Sequence, residues 1–229
     1  MAYRKKAEFI LSYQPDIVVI PECEHPDRLK FNSETPLPND VFWFGENKNK
    51  GIGIFSYSEF KFQLLDVHNA DFRTILPLAV TNGKIDFILF AVWAYNPKDL
   101  KKFQYVGQIW KAIHYYEALL KNEKIILAGD FNSNSIWDKS YRECNHSNVV
   151  DYLQKKEIYS TYHQYHNQKQ GEEEHPTFFL YRHQNRPYHI DYCFASADFI
   201  KKLQKVEVGN YEQWKQFSDH TPLIVTFNV

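Results

Sequence analysis

The spacing of apolar residues changes along the chain between a pattern typical of strands and one typical of helices. Short apolar runs predict buried strands, and turn signals such as Asn82-Gly83 lie between some of them. The predicted strands are Asp16–Ile20, Val41–Phe44, Gly51–Phe55, Thr74–Val80, Phe87–Ala94, Lys124–Ala128, Ile190–Ala195, Val206–Gly209 and Leu223–Phe227. Strands therefore outnumber helices, and no internal repeat is visible.

Three segments have the spacing of amphipathic helices. Residues 2–13 predict a short N-terminal helix. Residues 97–121 predict a long helix, because Asn96 suits an N-cap, a proline follows at the first helical position, and apolar residues then recur at helical spacing. A third helix is predicted at about 146–156, whereas the polar stretch 163–175, with three consecutive glutamates, predicts a mobile solvated loop.

Length and composition limit the class of protein. The chain has 229 residues, of which 44% are hydrophobic and 17% aromatic, enough to bury a large core. We therefore expect a single domain over residues 1–229. The 27 basic and 28 acidic residues give a formal net charge of −1, so no overall basic field indicates nucleic-acid binding, although a local basic groove is compatible with it.

Cysteine usage and hydropathy exclude further classes. Cys23, Cys144 and Cys193 are odd in number and lack C-x-x-C spacing, which argues against a disulfide framework and a thiolate zinc site. The longest apolar run, Phe87–Ala94, is too short to cross a bilayer, and the first residues do not form a signal peptide. We expect a soluble, cytoplasmic protein without membrane contact, and no protein partner is evident.

Polar side chains that could take part in catalysis or metal binding stand where the predicted apolar strands begin or end. In a layered sheet the strand ends at one edge converge, so residues far apart in sequence can share one pocket. The residues in such positions are Glu22, Asp130, Asn132, Asp191, Asp219 and His220.

Four segments in this order, Ile20–Glu22, Leu127–Asn132, His189–Tyr192 and Ser218–Leu223, resemble the ordered motifs of the endonuclease/exonuclease/phosphatase superfamily. Each motif is weak alone, but together they are a specific signal. The resemblance implies an α/β fold of the DNase I-like type, a four-layer α/β/β/α sandwich. It also implies a divalent cofactor, Mg²⁺ or Mn²⁺, and hydrolysis of a phosphoester by in-line attack of water.

The roles that the resemblance implies agree with side-chain chemistry. Mg²⁺ prefers oxygen ligands and keeps several waters, so Glu22 is the expected metal ligand, with Asp219 as a helper. Asp130 is the expected general base for the attacking water. Asn132 would orient that water or a phosphate oxygen.

Two further residues complete the expected catalytic group. His220 as an imidazolium would donate to a phosphoryl oxygen on which charge accumulates in the transition state. Asp191 would fix the ring and keep it protonated, since a nearby carboxylate raises the pKa of a histidine.

Each of these roles has a structural alternative. Glu22 could be a solvated charge after a strand, and Asp130 and Asn132 could form a simple turn. Asp191 and His220 could be a structural hydrogen-bonded pair. The occurrence of all these residues in family motifs favours the catalytic interpretation.

Three residues are candidates for binding substrate. Asn96 matches the family's phosphate-contacting asparagine, but it is equally suited to be a helix cap. Arg186 lies in a segment of cations and aromatics, residues 175–188, that suits contact with phosphate and stacking on a base. The same composition suits a surface loop that its aromatics tie to the core. Trp93 stands where relatives commonly have a tyrosine or histidine, and its indole can donate one hydrogen bond but cannot transfer a proton.

The chain departs from the family pattern at its start. Family members open with a strand that bears an asparagine for the metal, and no such strand precedes Asp16. We expect either a late assigned start or a shortened variant, and in the latter case weaker metal binding.

The sequence therefore predicts a metal-dependent phosphodiesterase, a nuclease acting on DNA or RNA. Small phosphoesters such as inositol phosphates form the second substrate class. The alternative outside catalysis is an impaired family member that only binds nucleic acid or a partner.

Overall fold

The computed structural model describes residues 3–31, 35–96, 104–121 and 124–229. The strands are β1 (Ile17–Cys23), β2 (Asp40–Asn47), β3 (Lys50–Ser56), β4 (Lys61–Leu64), β5 (Ile75–Thr81), β6 (Asp86–Trp93), β7 (Ile125–Asp130), β8 (Ile158–Ser160), β9 (Phe178–Phe179), β10 (Pro187–Tyr188), β11 (Asp191–Ser196), β12 (Leu203–Val208) and β13 (Leu223–Phe227). The helices are α1 (Ala7–Leu11), α2 (Val106–Tyr115), α3 (His146–Gln154), α4 (Thr161–His166), α5 (Ala197–Ile200) and α6 (Tyr211–Trp214).

The strands form one large and three small sheets in the described part of the chain. The large sheet has the order β4-β5-β6-β7-β11-β8, and a second sheet has the order β1-β3-β2. Strands β12 and β13 pair with each other, as do β9 and β10. Only β6 and β7 pair in parallel among these strands, and α2 lies in the crossover between them.

Successive side chains of β6 point to opposite faces of the large sheet, and each face is covered by a different set of residues. Phe90 and Val92 pack with α2 and α3 in one cluster. Leu89 and Ala91 point the other way and pack with Ile52 of β3 and other residues of the three-stranded sheet. The large sheet therefore lies between a layer of helices and a second sheet.

A third cluster covers the outer face of the three-stranded sheet. Val18 and Ile20 of β1 pack against Tyr3 and Ala7 of the N-terminal segment and against Trp214 of α6. The order of packing is therefore helices, large sheet, small sheet and helices. The mixed α/β fold with several sheets that the sequence predicts is confirmed.

The predicted strands match observed strands closely, whereas the helices match less well. Within the segment 2–13, the described residues 3–13 form a 3-10 turn at Tyr3–Lys5 and the short helix α1 instead of one continuous helix. The segment 97–121 contains α2 and a 3-10 turn at Leu119–Lys121, and its first residues, 97–103, lie outside the described residues. The helix predicted at about 146–156 corresponds to α3.

The prediction of a mobile solvated loop at 163–175 is wrong. The segment begins within α4, and the side chain of Glu173 is only 3% exposed. Its Oε1 accepts hydrogen bonds from Nε2 of His163 at 3.0 Å and from the Gly171 amide at 3.0 Å, and its Oε2 accepts one from Asn134 at 3.1 Å. A buried carboxylate with three donors anchors this segment, and those donors are brought together only by the fold.

The remaining sequence predictions on cysteines and membranes concern what is absent. Cys23, Cys144 and Cys193 are free thiols. Among the described residues, no helix has both the length and the apolar composition that a bilayer crossing requires.

Gly129 occupies a backbone position that no other residue fits. Its φ is +139°, and a Cβ there would lie 1.9 Å from the carbonyl oxygen of Val92. The adjacent parallel strand β6 approaches the backbone at this point, so glycine is needed for both conformation and space. The close approach fixes the end of β7, where Asp130 follows.

Gly129→Ala is expected to lower the free energy of unfolding by about 3 kcal/mol or more, because it adds a strained φ and a backbone clash. Gly83→Ala is the matched control, since Gly83 also has a positive φ, +81°, but has nothing within 4 Å of its added Cβ. This change should cost about 1 kcal/mol. Urea unfolding of both variants checks the difference, and equal losses would contradict it.

Candidate active site

Asp130 ends β7 and is held from two sides by Asn132. Its Oδ1 accepts the Asn132 amide N–H at 2.8 Å, and its Oδ2 accepts the side-chain Nδ2–H of Asn132 at 2.7 Å. Asn132 has a φ of +47°, which asparagine tolerates well, and also donates to the Ala94 carbonyl at 2.7 Å. The Asp130 carboxylate is 4% exposed, so its orientation is fixed by hydrogen bonds in a buried setting.

Asp191 and His220 form an ion pair beside Asp130. Asp191 lies directly opposite Asp130 in the antiparallel register of β11 and β7. Nδ1 of His220 lies 2.8 Å from Oδ2 of Asp191. The hydroxyl of Thr177 accepts the amide of Asp191 at 3.0 Å, and the hydroxyl of Ser218 accepts the amide of His220 at 3.0 Å. These contacts orient both side chains.

Electrostatics in this cluster raise the pKa values of both Asp130 and His220. Burial raises the pKa of Asp130, and the negative charge of Asp191 raises it further. Burial alone would lower the pKa of His220, but attraction to Asp191 and the hydrogen bond that the ring donates to its carboxylate, with smaller effects of Asp130 and Asp219, raise it to about 9. His220 therefore carries a proton at neutral pH, and Asp130 is a stronger base than an exposed aspartate.

Glu22 lies at a β-bulge on the neighbouring sheet. The register of β1 against β3 passes from Ile20 opposite Gly53 to Cys23 opposite Gly51, so β1 carries one extra residue. Glu22 has a φ of +58° there, and the bulge redirects its side chain out of the normal strand alternation.

The carboxylate of Glu22 faces the same region as the catalytic candidates. It is 45% exposed, and Nζ of Lys50 lies 2.7 Å from its Oε1. Burial would raise the pKa of Glu22, but the hydrogen bond and charge of Lys50, with a smaller effect of His220, lower it. Glu22 in turn acts electrostatically on Asp130. The polar residues predicted from separate strands therefore meet at one place.

Asp219 belongs to the same group of charges, although its side chain makes no hydrogen bond to another described residue. Its carbonyl accepts the amide of Phe179 at 2.7 Å, which ties it to β9. Its charge acts on His220 and, together with Asp191 and Glu22, on the partly buried Lys6. Burial lowers the pKa of Lys6, and these carboxylates oppose that effect.

The three predicted substrate contacts lie in different settings. Trp93 is 7% exposed, packs in the core between the sheets, and has the ammonium of Lys50 over its ring at 5.1 Å. Asn96 is exposed beyond the end of β6. Arg186 is exposed in the turn between β9 and β10. Because Trp93 is buried and Lys50 covers its ring, direct contact of the indole with substrate would require Lys50 to move.

The donor set fits a hard divalent cation. Glu22, Asp130, Asp191 and Asp219 all offer carboxylate oxygens, the ligand type of Mg²⁺ and Mn²⁺. The pKa of Asp130 is raised by both Asp191 and Glu22, so negative charge accumulates here beyond what His220 compensates. Asp130, Asp191 and His220 offer atoms within 4.8 Å of one another, but His220 is no ligand while it is protonated. Glu22 and Asp219 are therefore the better candidates.

A cavity of about 650 Å³ adjoins Glu22. Arg4, Arg28, Lys30 and Lys50 supply four cations to its lining, and Glu22, Glu24 and Asp27 supply three carboxylates, a net charge of +1. All three acids are engaged in ion pairs, Glu22 with Lys50 at 2.7 Å, Glu24 with Arg4 at 2.6 Å and Asp27 with Lys48 at 2.6 Å. Of the four lining cations, Arg28 and Lys30 therefore lie outside these ion pairs.

Sequence reasoning missed three residues that shape the site. Lys50 pairs with Glu22, Thr177 accepts the amides of both Ile190 and Asp191, and Phe178 packs on His220 with ring centroids 4.7 Å apart. Thr177 and Phe178 stand in the aromatic segment before Asp191, which was a signal for their location. For Lys50, only its position at the start of a strand was visible, and this does not predict its partner.

Comparison with known proteins gives a family match over nearly the whole chain. The profile of the Endonuclease/Exonuclease/phosphatase family matches residues 7–220, a range that contains all six candidate residues, Glu22, Asp130, Asn132, Asp191, Asp219 and His220. No curated protein sequence matches the chain.

Solved structures share the fold at low sequence identity. An AP endonuclease from Archaeoglobus fulgidus superposes with a TM-score of 0.70 at 19% identity, covering 100% of this chain and 96% of that one. The 3′ phosphatase NExo from Neisseria, bound to a product DNA hairpin, superposes with a TM-score of 0.65 at 19% identity, covering 99% and 95%. At such identities the similarity concerns the fold alone.

Asp191→Asn is expected to lower the pKa of His220 by about two pH units, because the paired negative charge is removed from a buried imidazole. In the wild-type protein the pKa should be about 9. Titration of the ring resonances by NMR measures both values. His114, which stacks on Tyr152 and does not contact Asp191, is the internal control. An unchanged pKa of His220 would contradict the ion pair.

The same pair makes stability depend on pH. The pKa of His220 rises from 6.5 to about 9 on folding, so its contribution is complete below pH 6.5 and is lost as the pH rises through about 9. The wild-type advantage over Asp191→Asn in free energy of unfolding should therefore shrink between these values. Urea unfolding at pH 6 and at pH 9.5 tests the direction, and an advantage that grows with pH would be inconsistent with it.

Proposed function

Because this chain belongs to the Endonuclease/Exonuclease/phosphatase family, whose members hydrolyse phosphoesters, we propose that it is a divalent-metal-dependent nuclease. The observation that carries the proposal is the buried Asp130 carboxylate, fixed by Asn132, beside the His220–Asp191 pair. A strong base and an imidazolium within one small site are the two groups that in-line hydrolysis of a phosphoester needs.

Asp130 is the proposed general base. Its two hydrogen bonds from Asn132 hold the carboxylate in one orientation, and its raised pKa favours acceptance of a proton from water. Asn132 is the proposed positioning residue, since its side chain is itself fixed by the Ala94 carbonyl. Loss of either hydrogen bond would leave the carboxylate free to rotate.

His220 is the proposed electrostatic stabiliser of the phosphoryl oxygens. Its Nδ1 donates to Asp191, so Nε2 remains as the second donor toward substrate. Charge accumulates on those oxygens during transfer, and a donor in a partly buried site acts strongly on it. Asp191 keeps the ring charged and oriented.

Glu22 and Asp219 are the proposed holders of the divalent ion, Mg²⁺ or Mn²⁺. When bound, such an ion neutralises phosphate charge and orients the substrate. The low pKa of Glu22 keeps it ionised, and its partial exposure leaves it accessible. Lys50 pairs with this carboxylate and balances part of its charge.

Nucleic acid is the proposed substrate class. Four cations line the cavity beside Glu22, and two of them, Arg28 and Lys30, lie outside the ion pairs with Glu22 and Glu24 and suit phosphates flanking the scissile one. The structural relative from Neisseria was solved with a DNA hairpin, which supports this class by analogy of fold.

Asp130→Asn and His220→Ala are each expected to lower kcat/KM at least about 100-fold, because they remove the base and the charged donor. Purified protein is incubated with Mg²⁺ or Mn²⁺ and single-stranded DNA, plasmid, RNA or inositol phosphate. Asp151→Asn, an exposed carboxylate of α3, is the matched control and should retain full activity. Equal product from all variants would refute the catalytic assignment, and turnover of inositol phosphate alone would refute the substrate class.

Glu22→Gln is expected to weaken Mn²⁺ binding about tenfold, because a neutral amide replaces an ionised ligand. Isothermal titration calorimetry of Mn²⁺ into each protein measures the effect without any substrate. Glu46→Gln is the control, since Glu46 is 73% exposed and pairs with Arg73 instead. Chelation with EDTA should abolish cleavage. Identical Mn²⁺ affinities for Glu22→Gln and Glu46→Gln would remove Glu22 from the metal site.

A further inference from the structure

A large aromatic side chain is exposed close to the catalytic residues without a function assigned to it. Trp137 is 42% exposed and follows Asn132 by five positions, and its neighbour Ile136 is 54% exposed. Exposed apolar surface on a fixed support costs hydrophobic free energy and often marks a binding surface. Trp137 lies outside the ion pairs and hydrogen bonds of the proposed chemistry.

The turn that carries Trp137 is held rigidly. Asn134 is 2% exposed, and its Oδ1 accepts the amide of Ile136 at 3.1 Å while its Nδ2 donates to the His189 carbonyl at 2.9 Å. The amide of Trp137 donates to the Asn134 carbonyl at 3.1 Å. Asp138, the next residue, accepts the amides at the start of α3 at 2.8 and 3.0 Å. The backbone below the indole is therefore fixed at both ends.

The indole ends a row of rings that begins at His220. Trp137 and Tyr188 have ring centroids 5.0 Å apart, Tyr188 and Phe178 6.5 Å, and Phe178 and His220 4.7 Å. Tyr188 and Phe178 are direct partners in the register of β10 and β9, which fixes their spacing. Each separation lies in the range of aromatic contact. The row therefore links His220, the proposed contact of the phosphate, to the exposed indole ring of Trp137.

The shape of this surface selects the kind of group that would cover it. Beyond Ile136, the turn carries polar neighbours, namely Ser135, Asp138 and Lys139, so the apolar area is about the size of one or two rings. A planar group attached near a phosphate fits such a plate, and in biological phosphoesters that group is a nucleobase. A base within a duplex has both faces covered by its neighbours, whereas an unpaired base can stack on a side chain.

We propose that Trp137 and Tyr188 form a stacking subsite for an unpaired nucleobase of the strand whose phosphoester is hydrolysed. The inference rests on the proposed function and adds the substrate form, single-stranded or locally unpaired nucleic acid. Trp137 supplies the exposed face and Tyr188 supports it from the side of the catalytic residues. Arg186 lies in the turn beside Tyr188 and is exposed toward solvent, where a backbone phosphate of the same strand would pass.

The test compares two labelled strands by fluorescence anisotropy in EDTA, so that no cleavage occurs. One is single-stranded oligothymidylate, and the other is a strand of equal length built from abasic sites. Wild-type protein should bind the thymidylate strand about tenfold more tightly. Trp137→Ala should lose most of that preference, whereas Trp137→Phe, which keeps a ring, should retain most of it. Tyr141→Ala, which removes a 76% exposed ring outside the row, should behave as wild type.

A second readout is spectroscopic. Stacking of a base on an indole quenches tryptophan fluorescence. Oligothymidylate should therefore quench the tryptophan fluorescence of the wild-type protein more than that of Trp137→Phe. Wild-type protein that binds both strands equally would overturn the proposal, whatever the variants do. A preference that persists unchanged in a folded Trp137→Ala would also overturn it, and circular dichroism establishes the folding.

Cleavage assays separate this inference from the proposed function. Absence of hydrolysis of any nucleic acid by the wild-type protein contradicts the proposed function and the inference that rests on it. Hydrolysis with equal KM for Trp137→Ala and wild type on single-stranded DNA contradicts the inference alone. The expected result is hydrolysis by both proteins with a KM raised about tenfold in Trp137→Ala and a kcat changed little.

Discussion

The burial of the Asp130 carboxylate is the constraint on which the site depends. A buried ionised group is costly unless hydrogen bonds and an opposite charge compensate it, and here Asn132 and His220 provide both. Burial and the negative charge of Asp191 outweigh this compensation, so the pKa of Asp130 stays raised. The close approach of Gly129 to β6 and the hydroxyl of Thr177 keep these charges in register.

The features that sequence predicted are those governed by local periodicity. Runs such as Ile125–Asp130 are apolar and short, so the strand and the polar residue at its end follow from the pattern itself. Asp130, Asp191 and His220 come from three such ends and lie within 4.8 Å of one another, because two adjacent strands and a neighbouring segment end at the same edge. The apolar and polar pattern therefore predicts most of the strands, and the family motifs at the strand ends predict the centre of the site.

The features that sequence could not predict depend on partners distant along the chain. Glu173 stands in a run of glutamates that is typical of solvated loops, yet the fold supplies His163, Gly171 and Asn134 as donors to it. Lys50 is one of many lysines until β1 and β3 pair and bring it to Glu22. In both cases the environment of the side chain is determined by a long-range contact that exists only after the sheets have packed.

The site is divided between two sheets, and this division explains its unequal burial. Asp130 and Asp191 end strands of the large sheet and are largely buried, whereas Glu22 belongs to the three-stranded sheet and is half exposed. The distance between the two halves is set by the apolar layer between the sheets, in which Ile52 and Ile54 face Leu89 and Ala91. Close packing of that layer keeps the proposed base and the proposed metal ligand in one geometry. The core between the sheets therefore acts on the chemistry through position.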